Sequence, residues 1–136
     1  MMALQPGNAA PSLERVVTQD IIDRYAEASG DHNPIHVDPD YAAKGPFGRT
    51  IAHGLMTLAY ASVMLNRWTD GAFDQCGSIE VAFTGPVYVG ETIRLTAGVD
   101  TVDEDGTAVC TLKCTSAERQ ILVGTVRLPQ QTEKGD

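Results

Sequence analysis

All three histidines of this chain lie within 22 residues, at positions 32, 36 and 53. Asp31 directly precedes the first of them, and the dipeptide Asn33-Pro34 before His36 is typical of a turn. A carboxylate and an imidazole on one irregular loop can face a common space, where one accepts a proton and the other delivers one. The spacing therefore makes Asp31 and His36 candidates for general acid–base catalysis.

Two other interpretations of this cluster are weaker. A metal site would use His32 and His36 as an i, i+4 pair, but Pro34 disfavours the helical geometry that such a pair needs. A nucleophilic triad would need Ser29 or Ser62, and neither serine lies in a G-x-S-x-G elbow. Each acid–base candidate, taken singly, is also typical of a structural turn or core side chain. We expect no bound metal.

The composition predicts a globular domain and excludes two classes of partner. The 136 residues carry 18 acidic and 10 basic side chains, for a net charge of −8, so we expect no binding to nucleic acid or an anionic membrane. The chain contains neither a signal-peptide pattern nor an apolar run long enough to span a membrane. We expect a single domain over residues 1–136, with poorly ordered termini at 1–11 and 129–136.

The three cysteines favour a reducing compartment. Cys110 and Cys114 fall on one predicted strand, where four residues separate them by about 13 Å, which is too far for a disulfide or a shared metal. Together with Cys76 they are interpreted as reduced thiols that act as small core hydrophobes. We therefore expect a cytoplasmic protein.

The first half of the chain is predicted to be mainly helical. After a short apolar run at 13–17, Thr18 and Gly30 delimit a helix over 19–29, and a short helix begins at Asp38-Pro39. Residues 54–67 form a helix that is apolar on nearly all sides. Such a helix must be covered all round.

The second half is predicted to be extended, because its apolar residues alternate with a period of two. The pattern covers residues 77–84, 91–102, 107–116 and 120–128, with a hairpin turn at Asp105-Gly106. Short connections imply antiparallel pairing. We expect an α+β fold in which a curved antiparallel sheet wraps around one buried central helix. A small sheet leaves its edges open, so we also expect a homodimer or a dimer-based oligomer.

A longer signature surrounds the acid–base candidates. Residues 29–38 read S-G-D-H-N-P-I-H-V-D, followed by A-H-G at 52–54 and by Phe83, Pro86-Val87 and Gly90-Glu91. This set closely resembles the signature of the MaoC-like, (R)-specific enoyl-CoA hydratases of the hot-dog fold, with Glu91 in place of the commoner Asp. The resemblance extends over about residues 18–128.

The resemblance implies a lyase that adds water reversibly to trans-2-enoyl-CoA and forms (R)-3-hydroxyacyl-CoA. Asp31 would be the general base that activates water, and His36 would position that water and donate the proton. Gly54 would direct its backbone N–H at the thioester oxygen. Asn33, Ser29 and Ser62 are supporting candidates, although Ser62 is equally compatible with a bond to its own helix. His53 is interpreted as a structural lead-in to the helix.

The resemblance also implies a coenzyme A thioester as substrate and no separate cofactor. Lys44, Arg49 and Arg67 are candidate phosphate contacts, although solvated surface charge is the simpler interpretation of each. An acyl carrier protein is less favoured, because such carriers are mostly acidic and the net charge here is −8. Apolar residues of the helix are expected in the core or an interface, and some of them in an acyl tunnel: Met56, Tyr60, Met64 and Trp68.

Two alternative functions stay open from sequence. A hot-dog thioesterase would direct a carboxylate at the thioester carbonyl and release free thiol. A non-catalytic acyl-thioester-binding subunit would share the fold without the reaction.

Overall fold

The computed structural model describes residues 3–117 and 119–130. Ten elements follow one another along the chain: β1 (Leu13–Val16), α1 (Gln19–Ser29), α2 (Pro34–Val37), α3 (Pro39–Ala43), α4 (Gly54–Thr69), α5 (Ala72–Cys76), β2 (Ser78–Phe83), β3 (Thr92–Val102), β4 (Ala108–Ser116) and β5 (Arg119–Leu128). The helical first half and extended second half agree with the prediction.

The five strands form one antiparallel sheet in the order β1-β3-β4-β5-β2. The predicted two-residue period is confirmed, since alternate side chains of each long strand are buried. In β3 these are Ile93, Leu95, Ala97 and Val99, and in β4 they are Ala108, Cys110, Leu112, Cys114 and Ser116. Because successive side chains of a strand point to opposite faces, this burial defines the face of the sheet that carries the core.

Two of the three cysteines belong to this core. Cys110 and Cys114 are free and fully buried, and burial raises the pKa of the Cys114 thiol to about 12. Burial, with the nearby charge of Asp100, raises the pKa of Cys110 to about 11. Both side chains therefore stay neutral at physiological pH. The prediction of a core position is wrong for Cys76, which is exposed at the end of α5.

The expected disorder of the N-terminal segment is wrong for residues 4–10. The backbone N–H groups of Gly7 and Ala10 donate to carbonyls of β3 at 3.0 and 2.9 Å, so the segment runs along that strand. Paired backbone groups of this kind order a chain even where its side chains are polar. Residues 1–2 and 131–136 of the expected termini lie outside the described residues.

The helix α4 lies against the sheet with one face and is open on the other. Ala61 and Leu65 are fully buried, and the helix contacts β3. On the opposite side, Leu55 is 63% exposed and Val63 is 39% exposed. The prediction of all-round cover is therefore not met within one chain. An apolar helix face of this length requires further cover, which one copy of the chain does not provide.

The loop between β2 and β3 is held by a polar network on Glu91. Its carboxylate accepts hydrogen bonds from Ser116 Oγ and from the backbone N–H of Tyr88, both at 2.7 Å. It also forms an ion pair with Arg119. Since Ser116 and Arg119 flank the turn between β4 and β5, the network fastens the loop to that end of the sheet.

The same loop pairs with residues 50–52, which precede α4. Ala52 N donates to Val87 O at 2.8 Å, and Val89 N donates to Thr50 O at 3.1 Å. A short antiparallel bridge joins the two segments between these bonds. The sheet therefore sets the position of residues 50–52 through the loop.

The stabilisation that this network provides depends on pH, because it requires the charged form of Glu91. Burial by itself raises the pKa of Glu91, but hydrogen bonds from Arg119, Ser116 and the Tyr88 N–H outweigh it, so the pKa is lowered from its ordinary value of 4.5. A lowered pKa means that the folded protein favours the carboxylate. The resulting stabilisation is fully present above the unfolded pKa and is lost as pH falls through the folded pKa.

We therefore expect Glu91→Gln to lower the free energy of unfolding at about pH 7, because the ion pair is lost. The difference between wild type and variant should shrink as pH falls below about 4.5. Urea denaturation from about pH 7 to pH 3 measures both quantities. Glu14→Gln, at an exposed position of β1, is the matched control. A difference for Glu91→Gln that is constant with pH would contradict the argument.

Candidate active site

The helix α1 ends so that the chain turns directly into the histidine cluster. Gly30 has φ +79°, in the left-handed region that glycine adopts without a steric penalty, and its N–H donates to Ala26 O at 2.8 Å. Asp31 follows at once, outside the helix. Its side chain is 54% exposed and thus open to a small molecule.

Both supporting residues of this loop contact its backbone. Ser29 Oγ accepts from Asp31 N at 3.1 Å, and Asn33 Oδ1 accepts from Ile35 N at 3.1 Å, which caps the start of α2. The backbone N–H of Asn33 donates to Asp31 Oδ1 at 3.2 Å. One carboxylate oxygen of Asp31 is therefore engaged with the loop, and Oδ2 is directed toward His36.

The ring of His36 is fixed by a single strong contact. Its Nδ1 lies 2.7 Å from Ile51 O, and the side chain is 13% exposed. A carbonyl oxygen only accepts, so Nδ1 carries the proton and Nε2 is the ring nitrogen left for chemistry. Nε2 lies 4.0 Å from Asp31 Oδ2. That separation is too long for a direct hydrogen bond but allows one water to lie about 2.8 Å from each group.

His53 joins the loop at 30–33 to α4. Its Nε2 donates to the backbone carbonyl of Asp31 at 2.9 Å, and its ring stacks on His36 with centroids 3.9 Å apart. The ring of Tyr25 packs on the His53 ring, with centroids 4.8 Å apart. His53 is therefore more than the lead-in expected from sequence. Its presence among the three clustered histidines was the signal for this role, but the stacking depends on tertiary contacts.

Gly54 lies at the N-terminus of α4, next to His53. The first N–H groups of a helix have no acceptor within it, and His53 makes no side-chain cap. A Cβ at position 54 would lie 3.2 Å from Phe83 Cε1, so glycine allows the edge strand β2 to approach. The exposed start of the helix thus presents backbone donors and a partial positive charge beside the Asp31–His36 pair.

Two residues singled out from the sequence, His32 and Ser62, do not contact the Asp31–His36 pair. His32 is 53% exposed and lies 3.8 Å from Glu27, outside the site. Ser62 Oγ accepts from Asn66 Nδ2 at 3.3 Å, one turn further along α4. Among the residues that the structure describes, Ser62 has no hydrogen bond to the loop at 30–33, which was one of the two interpretations left open for it.

Donor atoms of Asp31, His36 and His53 all lie within 4.8 Å of one another, so a metal ion is a possible interpretation of the cluster. Each imidazole, however, uses one nitrogen on a backbone carbonyl. The remaining nitrogens, His36 Nε2 and His53 Nδ1, belong to rings stacked at 27°. Because imidazole binds a metal in the plane of its ring, nearly parallel stacked rings do not direct both lone pairs at one ion.

Two concave surfaces adjoin the site. A cavity of about 680 Å³ is formed by α2, α3 and the segment after them. Its charged lining consists of two cations, Lys44 and Arg49, and two carboxylates, Asp38 and Asp40, and its other lining residues include Asn33, Ile35, Tyr41 and Phe47. An apolar cleft of about 360 Å³ between α1 and α4 is lined by Tyr25, Met56 and Tyr60, among others. Of the other expected tunnel residues, Met64 is buried in the core and Trp68 packs against it.

Comparison with known proteins adds family membership to this geometry. The family model of the MaoC-like domain matches residues 5–119. The chain is 40% identical over 105 residues to the 3-hydroxyacyl-thioester dehydratase Z of Mycobacterium tuberculosis, covering 73% of this chain and 70% of that protein. It is 30% identical over 124 residues to the 3-hydroxybutyryl-CoA dehydratase of Methylorubrum extorquens, covering 89% and 79%.

A solved structure agrees at the level of the fold. The (R)-hydratase from A. caviae involved in PHA biosynthesis superposes with a TM-score of 0.82 at 24% identity, over 96% of this chain and 100% of that one. No helix among the described residues is long and apolar enough to cross a bilayer. The matched family model and the two sequence relatives show that the chain belongs to the MaoC-like dehydratase family, and its fold is the hot-dog fold.

Proposed function

We propose that the protein catalyses the reversible hydration of trans-2-enoyl-CoA to (R)-3-hydroxyacyl-CoA. The observation that carries this proposal is the 4.0 Å gap between Asp31 Oδ2 and His36 Nε2, beside the open N-terminus of α4. The gap accommodates one water between a base and an acid. The relatives named as dehydratases support the same reaction class.

In hydration, Asp31 removes a proton from water as the oxygen forms a bond to the β-carbon. The electron pair of the carbon–carbon double bond moves toward the thioester and gives an enolate. His36 Nε2 then delivers a proton to the α-carbon. Positioned acid–base groups of this kind contribute about 10²–10⁴-fold each to the rate.

The tautomer of His36 sets the charge state that each direction requires. Since Nδ1–H is held by Ile51 O, the ring can donate from Nε2 only as an imidazolium. Hydration therefore starts from an ionised Asp31 and a charged His36, and it ends with a neutral pair. Dehydration starts from the neutral pair, with His36 Nε2 as base and protonated Asp31 as the acid for the leaving hydroxyl.

The developing negative charge on the thioester oxygen requires a donor that is already in place. The N–H of Gly54 is such a donor, because it has no acceptor within α4 and the helix dipole adds a partial positive charge. Preorganised donors of this type are worth about 10²–10³-fold in kcat.

We assign the carrier as coenzyme A and the acyl chain to the apolar cleft between α1 and α4. Lys44 and Arg49 line the larger cavity, and Arg49 is held over the ring of Tyr88 at 4.2 Å, which suits recognition of phosphate groups. Arg67 lies at the opposite end of α4, in its last turn. The three free thiols support a reducing, cytoplasmic location.

We further propose that the protein is a homodimer whose interface covers α4 and the edge of β2. Leu55 and Phe83 are exposed large apolar residues, and Phe83 lies against the start of α4 at Gly54. Val63 is also exposed, but it lines the cleft assigned to the acyl chain. In the described part of the sheet, β2 pairs only with β5, so its other edge is open. A second copy would cover the apolar face and the open edge together.

Crotonyl-CoA distinguishes hydration from the alternative reactions. We expect loss of the enoyl absorbance without release of free thiol, and an (R)-3-hydroxybutyryl-CoA product by chiral analysis. Thiol release would assign a thioesterase instead. An unchanged substrate at high protein concentration would favour the non-catalytic binding subunit.

Asp31→Asn and His36→Asn should each lower kcat by about 10²–10⁴-fold, because each removes one partner of the acid–base pair. Circular dichroism and thermal unfolding should show a retained fold. His32→Asn is the matched control, because this exposed histidine lies outside the site and its loss should leave kcat unchanged. Full activity in both site variants would overturn the assigned roles.

Light scattering after size-exclusion chromatography tests the dimer. The chain has a mass of 14.5 kDa, so the wild type should elute at about twice that mass, and the double variant Leu55→Glu/Phe83→Glu should elute as a monomer. Val16→Glu, at an exposed apolar position on the opposite edge strand β1, should leave the dimer intact. A monomeric wild type at micromolar concentration would contradict the proposal.

A further inference from the structure

The side chain of Gln19, the first residue of α1, contacts the backbone of His36, the proposed proton donor. The side-chain amide nitrogen of Gln19 donates to His36 O at 2.9 Å. Its amide oxygen accepts from Thr50 Oγ1 at 2.7 Å, and Thr50 is 2% exposed. A third bond, from the same nitrogen to Asp23 Oδ1 at 2.9 Å, stays on the surface of α1.

The two long-range hydrogen bonds of Gln19, to His36 O and Thr50 Oγ1, lie on either side of the bond between His36 Nδ1 and Ile51 O. Thr50 directly precedes Ile51, whose carbonyl accepts from His36 Nδ1 and whose N–H donates to Ile35 O at 3.2 Å. Gln19 therefore ties the backbone of His36 to the segment that holds the His36 ring. A shift of one of these two pieces relative to the other would change the Nδ1 contact.

The amide of glutamine suits this bridge because it both donates and accepts. The carbonyl of His36 needs a donor and the hydroxyl of Thr50 donates, so each end of the amide has one matching partner. A carboxylate would lack the donor, and a thioether would lack both strong groups. The bridge spans 17 residues on one side and 31 on the other, so it is a tertiary contact and not part of the helix cap.

We propose that Gln19 is a positioning residue that sets the place and tautomer of His36 for the hydration chemistry. This inference rests on the proposed function. Gln19 does not touch the reacting atoms; it acts through the backbone of His36 and through Thr50. Displacement of an acid–base group by about 1 Å costs on the order of 10²-fold in rate, so loss of the bridge should appear in kcat.

The test compares variants that remove different bonds. Gln19→Met removes both long-range bonds at similar side-chain length, and we expect kcat on crotonyl-CoA to fall about 10- to 100-fold with KM changed less than about 3-fold. Thr50→Val removes one of the two bonds without altering position 19, and we expect a smaller loss in the same direction. Asp23→Ala removes the third bond, and as the matched control it should retain wild-type kcat.

A second control separates positioning from stability. Thr69→Val removes a buried hydroxyl that donates to Leu65 O at 2.7 Å in the last turn of α4, so it should lower Tm without lowering kcat.

Long-range ¹H–¹⁵N NMR reports the tautomer of His36 directly. We expect a single Nδ1–H form in wild type, and a mixed or exchanging form in Gln19→Met.

The outcomes separate this inference from the proposed function. Suppose that the wild type is active on crotonyl-CoA and that Gln19→Met and Thr50→Val lower Tm but not kcat. This result would overturn the positioning role and leave the hydratase assignment intact. A wild type without hydratase activity would remove the proposed function. In that case the NMR signature still decides whether Gln19 holds His36, and an unchanged tautomer in Gln19→Met would overturn it.

Discussion

The proposed chemistry depends on one contact, the hydrogen bond from His36 Nδ1 to Ile51 O. A carbonyl accepts and never donates, so the bond fixes which ring nitrogen carries the structural proton and leaves Nε2 to face Asp31. Any displacement of Ile51 changes both the direction of Nε2 and its 4.0 Å separation from the carboxylate. The rest of the molecule is therefore best understood by how it holds residues 50–52.

Two independent networks hold that segment from opposite sides. From the sheet, Arg119 and Ser116 engage Glu91, and the loop that Glu91 orders pairs with residues 50–52. From the helical side, Gln19 bridges Thr50 and the backbone of His36. Partly buried polar groups whose donors and acceptors are paired favour one geometry, because an alternative leaves a donor or acceptor unsatisfied. The contacts at the end of the sheet therefore fix the position of the His36 imidazole through residues 50–52.

The predictable parts were those set by local spacing. Alternation of period two placed the buried residues of β3 and β4. The turn at Asn33-Pro34 predicted that Asp31 and His36 lie close together, but the expected single loop is wrong for His36, which lies in the short helix α2. The stacking of His53 on His36 and the bridge from Gln19 join segments 17 or more residues apart, and no local period encodes such contacts. The apolar character of α4 predicted how much surface must be covered, but not that one chain covers only one face.

The stacked histidines differ in their surroundings, and this difference favours His36 over His53 as the proton donor of the proposed reaction. His53 Nε2 already donates to Asp31 O, and within the described residues its buried Nδ1 has no hydrogen-bond partner. A second proton on His53 would therefore be a buried donor without an acceptor, which is costly. A second proton on His36 Nε2 instead faces the carboxylate of Asp31. Of the two rings, whose centroids are 3.9 Å apart, His36 is the one whose second proton would lie 4.0 Å from a carboxylate.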